Sequence, residues 1–277
     1  MGVYYSLSTD GYRWTILSDG KPWIKPAQEG MRMRDPFLTR GPRGDYHLVW
    51  TGWGKAPLRI GYAHSTDLIH WSQKPIPVLV NEPQTRNAWA PEIYYTEDRR
   101  RWVIIWSSTI PGRFPETDGQ VESEMNHRIY SMTTEDFETF SEAKLFFDPG
   151  FPVIDATMLK AEGKYCLVFK DERRWPEHKQ MRLATGPTLE GPWSGVSEPF
   201  TEPWTEGPSA LKLKEGYVVY FDAYRRPQHF GAVLSKDLRT WTDITDKLSF
   251  SKGQKHGSFL RLSEQEHKRL QSASAPQ

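Results

Sequence analysis

Short apolar runs rich in aromatic and β-branched residues alternate along the chain with clusters of Gly, Asp and Pro. Four times, two such runs flank a compact turn. Phe37-Leu38 and Tyr46–Trp50 enclose Gly41–Asp45, and Ile93–Tyr95 and Trp102–Trp106 enclose Thr96–Asp98. Thr157–Leu159 and Tyr165–Phe169 enclose Glu162–Lys164, and Ala210–Leu213 and Tyr217–Phe221 enclose Lys214–Gly216. That composition predicts β-hairpins. A recurring phrase punctuates them: Ser8-Thr9-Asp10-Gly11-Tyr12-Arg13-Trp14-Thr15, then Ser65-Thr66-Asp67-Leu68-Ile69-His70-Trp71-Ser72. A looser copy runs from Thr133 to Ser141, a stretched one from Ala184 to Ser194, and the last from Ser235 to Thr242. The anchoring aromatics Trp14, Trp71, Phe140, Trp193 and Trp241 are 57, 69, 53 and 48 residues apart.

A period near fifty built of short strands predicts an all-β fold, a five-bladed β-propeller with one repeat per blade. The phrase supplies a third strand, a tight turn and a fourth strand marked by Trp, so each blade should hold about four antiparallel strands. A β-sandwich of similar strand count gives no reason for one turn phrase to recur at each period. Only Val3–Leu7 precedes the first phrase, so the inner strand of that blade is expected from His256–Leu262. The N-terminal strands would pair with it and close the ring, with one strand missing. Either that blade has three strands or the natural chain begins further upstream with an export signal. Residues 1–262 are expected to form one propeller domain, and 263–277 a short helix, Glu264–Leu270, with a disordered tail.

Composition changes this picture little. Twelve Trp, twelve Tyr and thirteen Phe supply core material and suit stacking on sugar rings. The 36 Lys and Arg nearly cancel the 35 Asp and Glu, which points away from nucleic acid and anionic membranes. No apolar run approaches the roughly 20 residues that span a bilayer. The single cysteine, Cys166, lies in an apolar run and reads as a buried small hydrophobe. A monomer is expected, cytoplasmic if the chain is complete and secreted or periplasmic if a signal has been removed.

In a propeller the first strand of each blade lines the central channel. The polar residues just before those strands are Arg34-Asp35-Pro36, Trp89-Ala90-Pro91-Glu92, Val153-Ile154-Asp155-Ala156, Thr205-Glu206-Gly207-Pro208-Ser209 and Lys255-His256-Gly257-Ser258. Four carboxylates and a histidine are thus expected at corresponding positions. Carboxylates crowded into a narrow channel have their pKa values driven apart, the condition for dividing general-acid and general-base work.

At these residues the chain resembles glycoside hydrolase family 43, five-bladed propeller enzymes that remove arabinofuranose, xylose or galactose units from plant polysaccharides. The likeness runs from about Tyr4 to Leu262. It implies Asp35 as general base, Asp155 as the carboxylate that orients the acid and tunes its pKa, and Glu206 as general acid. It also implies that His256 faces the axis, where some members hold calcium or another ion through water; the chemistry itself requires no cofactor. Many members have Asp where this chain has Glu92.

The resemblance implies an exo-acting, inverting hydrolase, with the two carboxyl groups about 6.5–9.5 Å apart to admit a water. Glu206 is expected to have its pKa raised by burial and by the Asp155 charge. The favoured substrate is a terminal α-L-arabinofuranosyl unit of an oligosaccharide or polysaccharide. Alternatives are a β-xylosidase or a galactosidase or galactanase of the same fold, and a non-catalytic carbohydrate-binding propeller. Around the funnel, Trp89 lines the mouth and Trp50, Trp53 or Trp106 could form a sugar platform. Arg225 is placed to donate to a hydroxyl; Arg34, if it faced inward with Arg225, would admit a uronic acid. The acidic insert 109–126, with Pro111 and Pro115, is expected to border the pocket.

Overall fold

All four hairpins form. The computed structural model describes every residue except 1, 28–30, 53–57, 79–81, 83, 252 and 277. A small antiparallel pair, β1 (Ser6–Leu7) and β2 (Thr15–Ile16), precedes four antiparallel meanders. The first sheet is β3 (Arg34–Arg40), β4 (Tyr46–Thr51), β5 (Arg59–Ser65) and β6 (Ser72–Pro77). The second is β7 (Trp89–Thr96), β8 (Arg101–Ser108), β9 (Arg128–Thr134) and β10 (Lys144–Phe147). β11 (Val153–Ala161), β12 (Lys164–Asp171) and β13 (Gln180–Gly186) make the third. β14 (Thr205–Lys212), β15 (Tyr217–Ala223), β16 (His229–Ser235) and β17 (Thr242–Asp243) make the fourth.

The molecule is an all-β propeller, but the expected five four-stranded blades reduce, among the described residues, to four sheets, one of them three-stranded. In the third sheet the outer strand shrinks to an isolated bridge between Thr185 and Ser194. The stretched phrase there carries Pro187 and Pro192, which cannot donate to a ladder. In place of a fifth blade, only the two-stranded β1–β2 sheet forms among the described residues. Residues 256–262 run as irregular chain, not as a strand paired with the N-terminus. Side chains take the place of a ladder: Leu38 N–H donates to Ser258 Oγ at 2.8 Å and Phe259 N–H to Ser209 Oγ at 3.2 Å. Gly253, Gly257 and Ser258 supply the short, permissive residues that such a path favours. The N-terminal segment meets the late chain earlier, through a parallel bridge between Arg13 and Ser249.

Five buried clusters hold these parts together. Val49, Ile60 and Tyr62 of the first sheet meet Ile93, Trp102 and Ile104 of the second, and Val103 and Ile105 meet Phe169 of the third. Cys166 and Val168 meet Val219 and Phe221 of the fourth. Tyr12 and Trp14 then pack with Val218 and Tyr220, while Val3 and Tyr5 pack with Tyr46 and Leu48, so residues 3–14 span the arc between the fourth and first sheets. β4, β8, β12 and β15 are covered on both faces by neighbouring sheets, which is why they read as unbroken apolar runs.

Four of the five copies of the repeated phrase share one geometry. In the second copy, Ser65 Oγ accepts from Asp67 and Leu68 N–H, and Asp67 Oδ1 accepts from Ile69 and His70 N–H at 2.8 Å each. The residue after the acid turns to positive φ: Gly11 (80°), Leu68 (67°), Phe137 (60°) and Leu238 (59°). The same bonds recur at Asp10, Asp136 and Asp237, and the donated hydrogen bonds hold all four carboxyls well below the usual range. For Asp67 they outweigh a partial burial that acts the other way. Asp67→Ala strips two backbone donors of their acceptor and is expected to cost about 1–2 kcal/mol. Urea unfolding of variant and parent checks it; equal midpoints and slopes would reject this role for the phrase.

α1 (Glu264–Ser272) starts with a capping box between Ser263 and Glu266, and Glu266 also binds Arg40 and Tyr46 of the first sheet. Leu270, Ala273 and Ala275 pack against the cluster around Tyr5 and Trp23. No helix among the described residues is long and apolar enough to cross a membrane. Cys166 is buried and free.

Candidate active site

Each first strand breaks register as it reaches the channel, between Arg34 and Phe37, Trp89 and Glu92, Ile154 and Thr157, and Glu206 and Ser209. In every break one residue sits at positive φ: Asp35 at 51°, Ala90 at 46°, Asp155 at 53° and Gly207 at 58°. His256, in the irregular fifth segment, matches them at 38°. Such a backbone costs a non-glycine residue about 1–2 kcal/mol, so something must hold it. The holders are mostly side chains at the ends of second strands. Ala90 N–H donates to Thr51 Oγ1 (2.8 Å), Asp155 N–H to Ser107 Oγ (3.2 Å) and His256 N–H to Asp222 Oδ2 (2.9 Å). Thr51, Ser107, Lys170 and Asp222 face the residue just before each break in register. Lys170 cannot accept, and there Gly207 N–H instead donates to Asp155 Oδ2 at 3.0 Å.

These breaks correct the expected correspondence of four carboxylates. Only Asp35 and Asp155 share one position, together with Ala90, Gly207 and His256. Glu206 precedes the turning residue, and Glu92 follows Ala90 by two. All five segments still line one small cavity of about 20 Å³, room for a single water. Asp35, Glu92, Asp155 and His256 lie on its wall.

His256 Nδ1 is 3.1 Å from Asp35 Oδ1. Burial alone would lower the histidine's pKa, but Asp35, Asp155, Asp222 and Glu206 outweigh it and raise it. Its ring lies against Gly207, where a Cβ would come within 2.8 Å of Cδ2, so glycine admits the imidazole as well as the turn. Asp155 is pushed up to about 6, chiefly by burial, with His256 opposing and the Glu206 charge adding. Asp222 is likewise pushed to about 6 by burial. Glu206, one-third exposed, accepts from Lys170 Nζ at 3.3 Å; that ammonium also pairs with Glu172 at 2.9 Å and lies 4.7 Å from the Tyr224 ring centre.

The remaining expected residues are spread more widely. Glu92 is buried with its carboxyl on the Tyr94 hydroxyl, and burial raises its pKa well above the ordinary value. Trp89 is exposed and tilts over the buried His127. Arg34 is exposed. Arg225 stacks 4.1 Å from the Trp204 ring centre and faces Glu177 at 3.8 Å. Trp53 lies outside the described residues. Trp50 and Trp106 are core residues, not platforms, because they end strands covered on both faces. The insert lies beside this rim: Arg174 N–H donates to Gln120 carbonyl at 2.7 Å, and Arg174 pairs with Glu122 and Glu177.

Lys170 and Asp222 were not singled out by the sequence pattern. Their signal is positional: each closes a second strand at the point where the first and second sheets carry a small hydroxyl residue. As for a cation at the axis, no trio of metal-ligating atoms gathers there among the described residues. His256 presents its Nδ1 to Asp35.

A family profile described as "Probable glycosyl hydrolase domain", related to glycoside hydrolase family 43, matches residues 1–268. The chain is 27% identical to an alpha-L-arabinofuranosidase of Bifidobacterium longum over 294 aligned positions, 86% of this chain. It spans only 27% of that protein's length. Among solved structures, an alpha-L-arabinofuranosidase from Lactobacillus brevis superposes with a TM-score of 0.59 at 17% identity, covering 77% of this chain and 72% of the other. The catalytic domain of a family-62 alpha-L-arabinofuranosidase from Coprinopsis cinerea gives 0.60 at 12% identity, covering 88% and 74%. At such identities these two structures establish the fold alone.

Proposed function

The chain belongs to this family of glycosyl hydrolase domains related to family 43, and from that premise we propose that it is an exo-acting, inverting hydrolase of terminal α-L-arabinofuranosyl units. The observation that carries the reading is the pairing of Asp35 with His256 beside Asp155 at one channel end, with Glu206 next to it. Asp35 is the general base: it takes a proton from a water that attacks the anomeric carbon. Glu206 is the general acid: it protonates the departing oxygen, and the anion it leaves accepts from Lys170 Nζ. Asp155 orients the acid through Gly207, whose N–H it binds, and Trp89 and Arg225 contact sugar outside the cleaved bond.

In this reading the His256 ring, whose pKa burial lowers but Asp35, Asp155, Asp222 and Glu206 together raise, holds the Asp35 carboxylate in place. His256 Nδ1 is engaged by Asp35, so an ion held through this ring would have to be reached from Nε2. No step is routed through a metal.

The Asp155 pKa sets a stability prediction. A carboxyl raised from 3.8 to about 6 in the fold favours the protonated form, so its contribution is complete below the ordinary value and is lost as pH rises through about 6. Two units correspond to about 3 kcal/mol. Asp155→Asn cannot titrate and is expected to shrink the stability difference between pH 4.5 and 7.5 by about 2 kcal/mol, since at pH 4.5 the contribution is not yet complete. Urea melts at both pH values measure it; an unchanged difference contradicts the assignment.

The functional test follows product configuration by NMR on aryl α-L-arabinofuranosides, β-xylosides and galactosides and on branched arabinan. The reading expects arabinose released with inverted configuration. Xylose or galactose without arabinose would replace the substrate and spare the mechanism. Retained configuration would reject the mechanism, and sugar binding without turnover would favour the non-catalytic alternative.

A further inference from the structure

Asp45, His47 and His64 form a second cluster, at the end of the first sheet far from Asp35. The register places it there: Arg34 faces Thr51 at the channel end, whereas Thr39 faces His47 near the opposite hairpin. His47 in turn faces His64 directly across β4 and β5, so both rings stand on one side of the sheet. Asp45 closes the turn just before β4. One nitrogen of each histidine and one carboxylate oxygen lie within 4.8 Å of one another, the sole such trio among the described residues. Asp45 Oδ2 is 2.9 Å from His64 Nε2 and 3.4 Å from His47 Nε2.

Two of these side chains are buried and incompletely satisfied. His47 is 3% exposed and Asp45 7%, yet His47 Nε2 and Asp45 Oδ1 have no hydrogen-bond partner. Buried polar atoms of this kind call for an explanation, an unseen ion among them. The other histidine nitrogen, Nδ1, is 2.9 Å from the Tyr62 hydroxyl. If it donates there, the Nε2 lone pair is left facing Asp45 and His64, the outer contact usual for a metal-binding imidazole. Gly41 keeps the space open: a Cβ there would lie 2.3 Å from Asp45 Oδ1 and 2.7 Å from His47 Nε2, the two unpartnered atoms.

We propose that Asp45, His47 and His64 bind a divalent transition-metal ion, zinc by donor type, that clips the β3–β4 turn to β5. Two imidazoles and a carboxylate match zinc; calcium and magnesium take all-oxygen shells. Bonds of about 2.1 Å in a tetrahedron put neighbouring ligand atoms roughly 3.4 Å apart. The observed 3.4 Å separation matches that spacing and the 2.9 Å one falls short of it. His64, the most exposed of the three, is free to make the remaining adjustment. The trio lines a groove of about 960 Å³, which gives an entry path and leaves the fourth position to water. Of the cations along the groove, Arg43 lies 3.5 Å from Asp45 but is 84% exposed and able to turn outward. Lys74 is paired with Glu138 and Arg99 with Glu190.

The test uses the tag-free full chain, stripped with a chelator and titrated with zinc against a chromophoric indicator, with calcium as control. One zinc per chain at micromolar affinity or tighter is expected, with a rise in melting temperature. His64→Gln and Asp45→Asn should each weaken binding about 100-fold or more. Zinc-edge absorption of the wild-type complex should show imidazole scattering from a shell at about 2.0–2.1 Å. No uptake at micromolar zinc, or His64→Gln binding as tightly as the wild type, overturns the proposal. Should the variants fail to fold, a wild-type spectrum without imidazole scattering does so.

Discussion

Replacing Asp35 by asparagine is expected to lower kcat by about 10²–10⁴-fold and to leave substrate affinity within roughly twofold. A base acts only as the water loses its proton, so its loss raises the transition state and not the bound ground state. Asparagine is the right probe for a backbone reason. Asp35 sits at φ 51°, a conformation that asparagine tolerates better than most residues, so the turn survives the change. The risk lies in His256, which loses one of four carboxylate neighbours. A melting curve on the variant separates a lost base from a disordered axis. Equilibrium binding of an intact aryl glycoside to the variant, read beside single-turnover rates, completes the measurement. A fall in kcat of less than tenfold, or a loss expressed wholly in affinity, would remove Asp35 from the role of base.

Glu206→Gln is expected to be as damaging, about 10²–10⁴-fold, on substrates whose leaving oxygen needs a proton, and much milder on an activated phenol. The contrast follows from chemistry: an acidic phenol departs as its anion without help. The structure adds a second expectation. Lys170 is almost wholly buried and has two carboxylates as partners, Glu172 at 2.9 Å and Glu206 at 3.3 Å. Glutamine at 206 removes one of these charges and leaves Glu172 as the nearer partner, so the fold is expected to persist. Rates across a series of aryl glycosides decide the matter. Equal losses for good and poor leaving groups would show that Glu206 is not the proton donor.

Much of this molecule was legible from short stretches of sequence because the forces concerned are local. A Ser or Thr two residues before an acid binds the next backbone donors whatever surrounds it, so the repeated phrase announced its turns and the period between sheets. Apolar runs flanking Gly and Asp turns likewise gave every hairpin. Asp35, Asp155 and His256 were singled out by their place beside the expected first strands, and all three line one cavity. What neighbours decide could not be read so. Trp50 and Trp89 look alike in sequence, yet one is core and the other exposed, because only sheet-on-sheet packing sets which faces are covered. The four carboxylates looked equivalent until the breaks in register separated Asp35 and Asp155 from Glu206 and Glu92. His256 meets Asp35 across 221 residues, and Lys170 meets Glu206 across 36. The raised pKa at Asp155 belongs to burial among those distant partners. The count of blades failed for the same reason: whether residues 256–262 form a strand depended on Ser209 and Ser258, whose hydroxyls satisfy backbone groups that a ladder would otherwise have claimed.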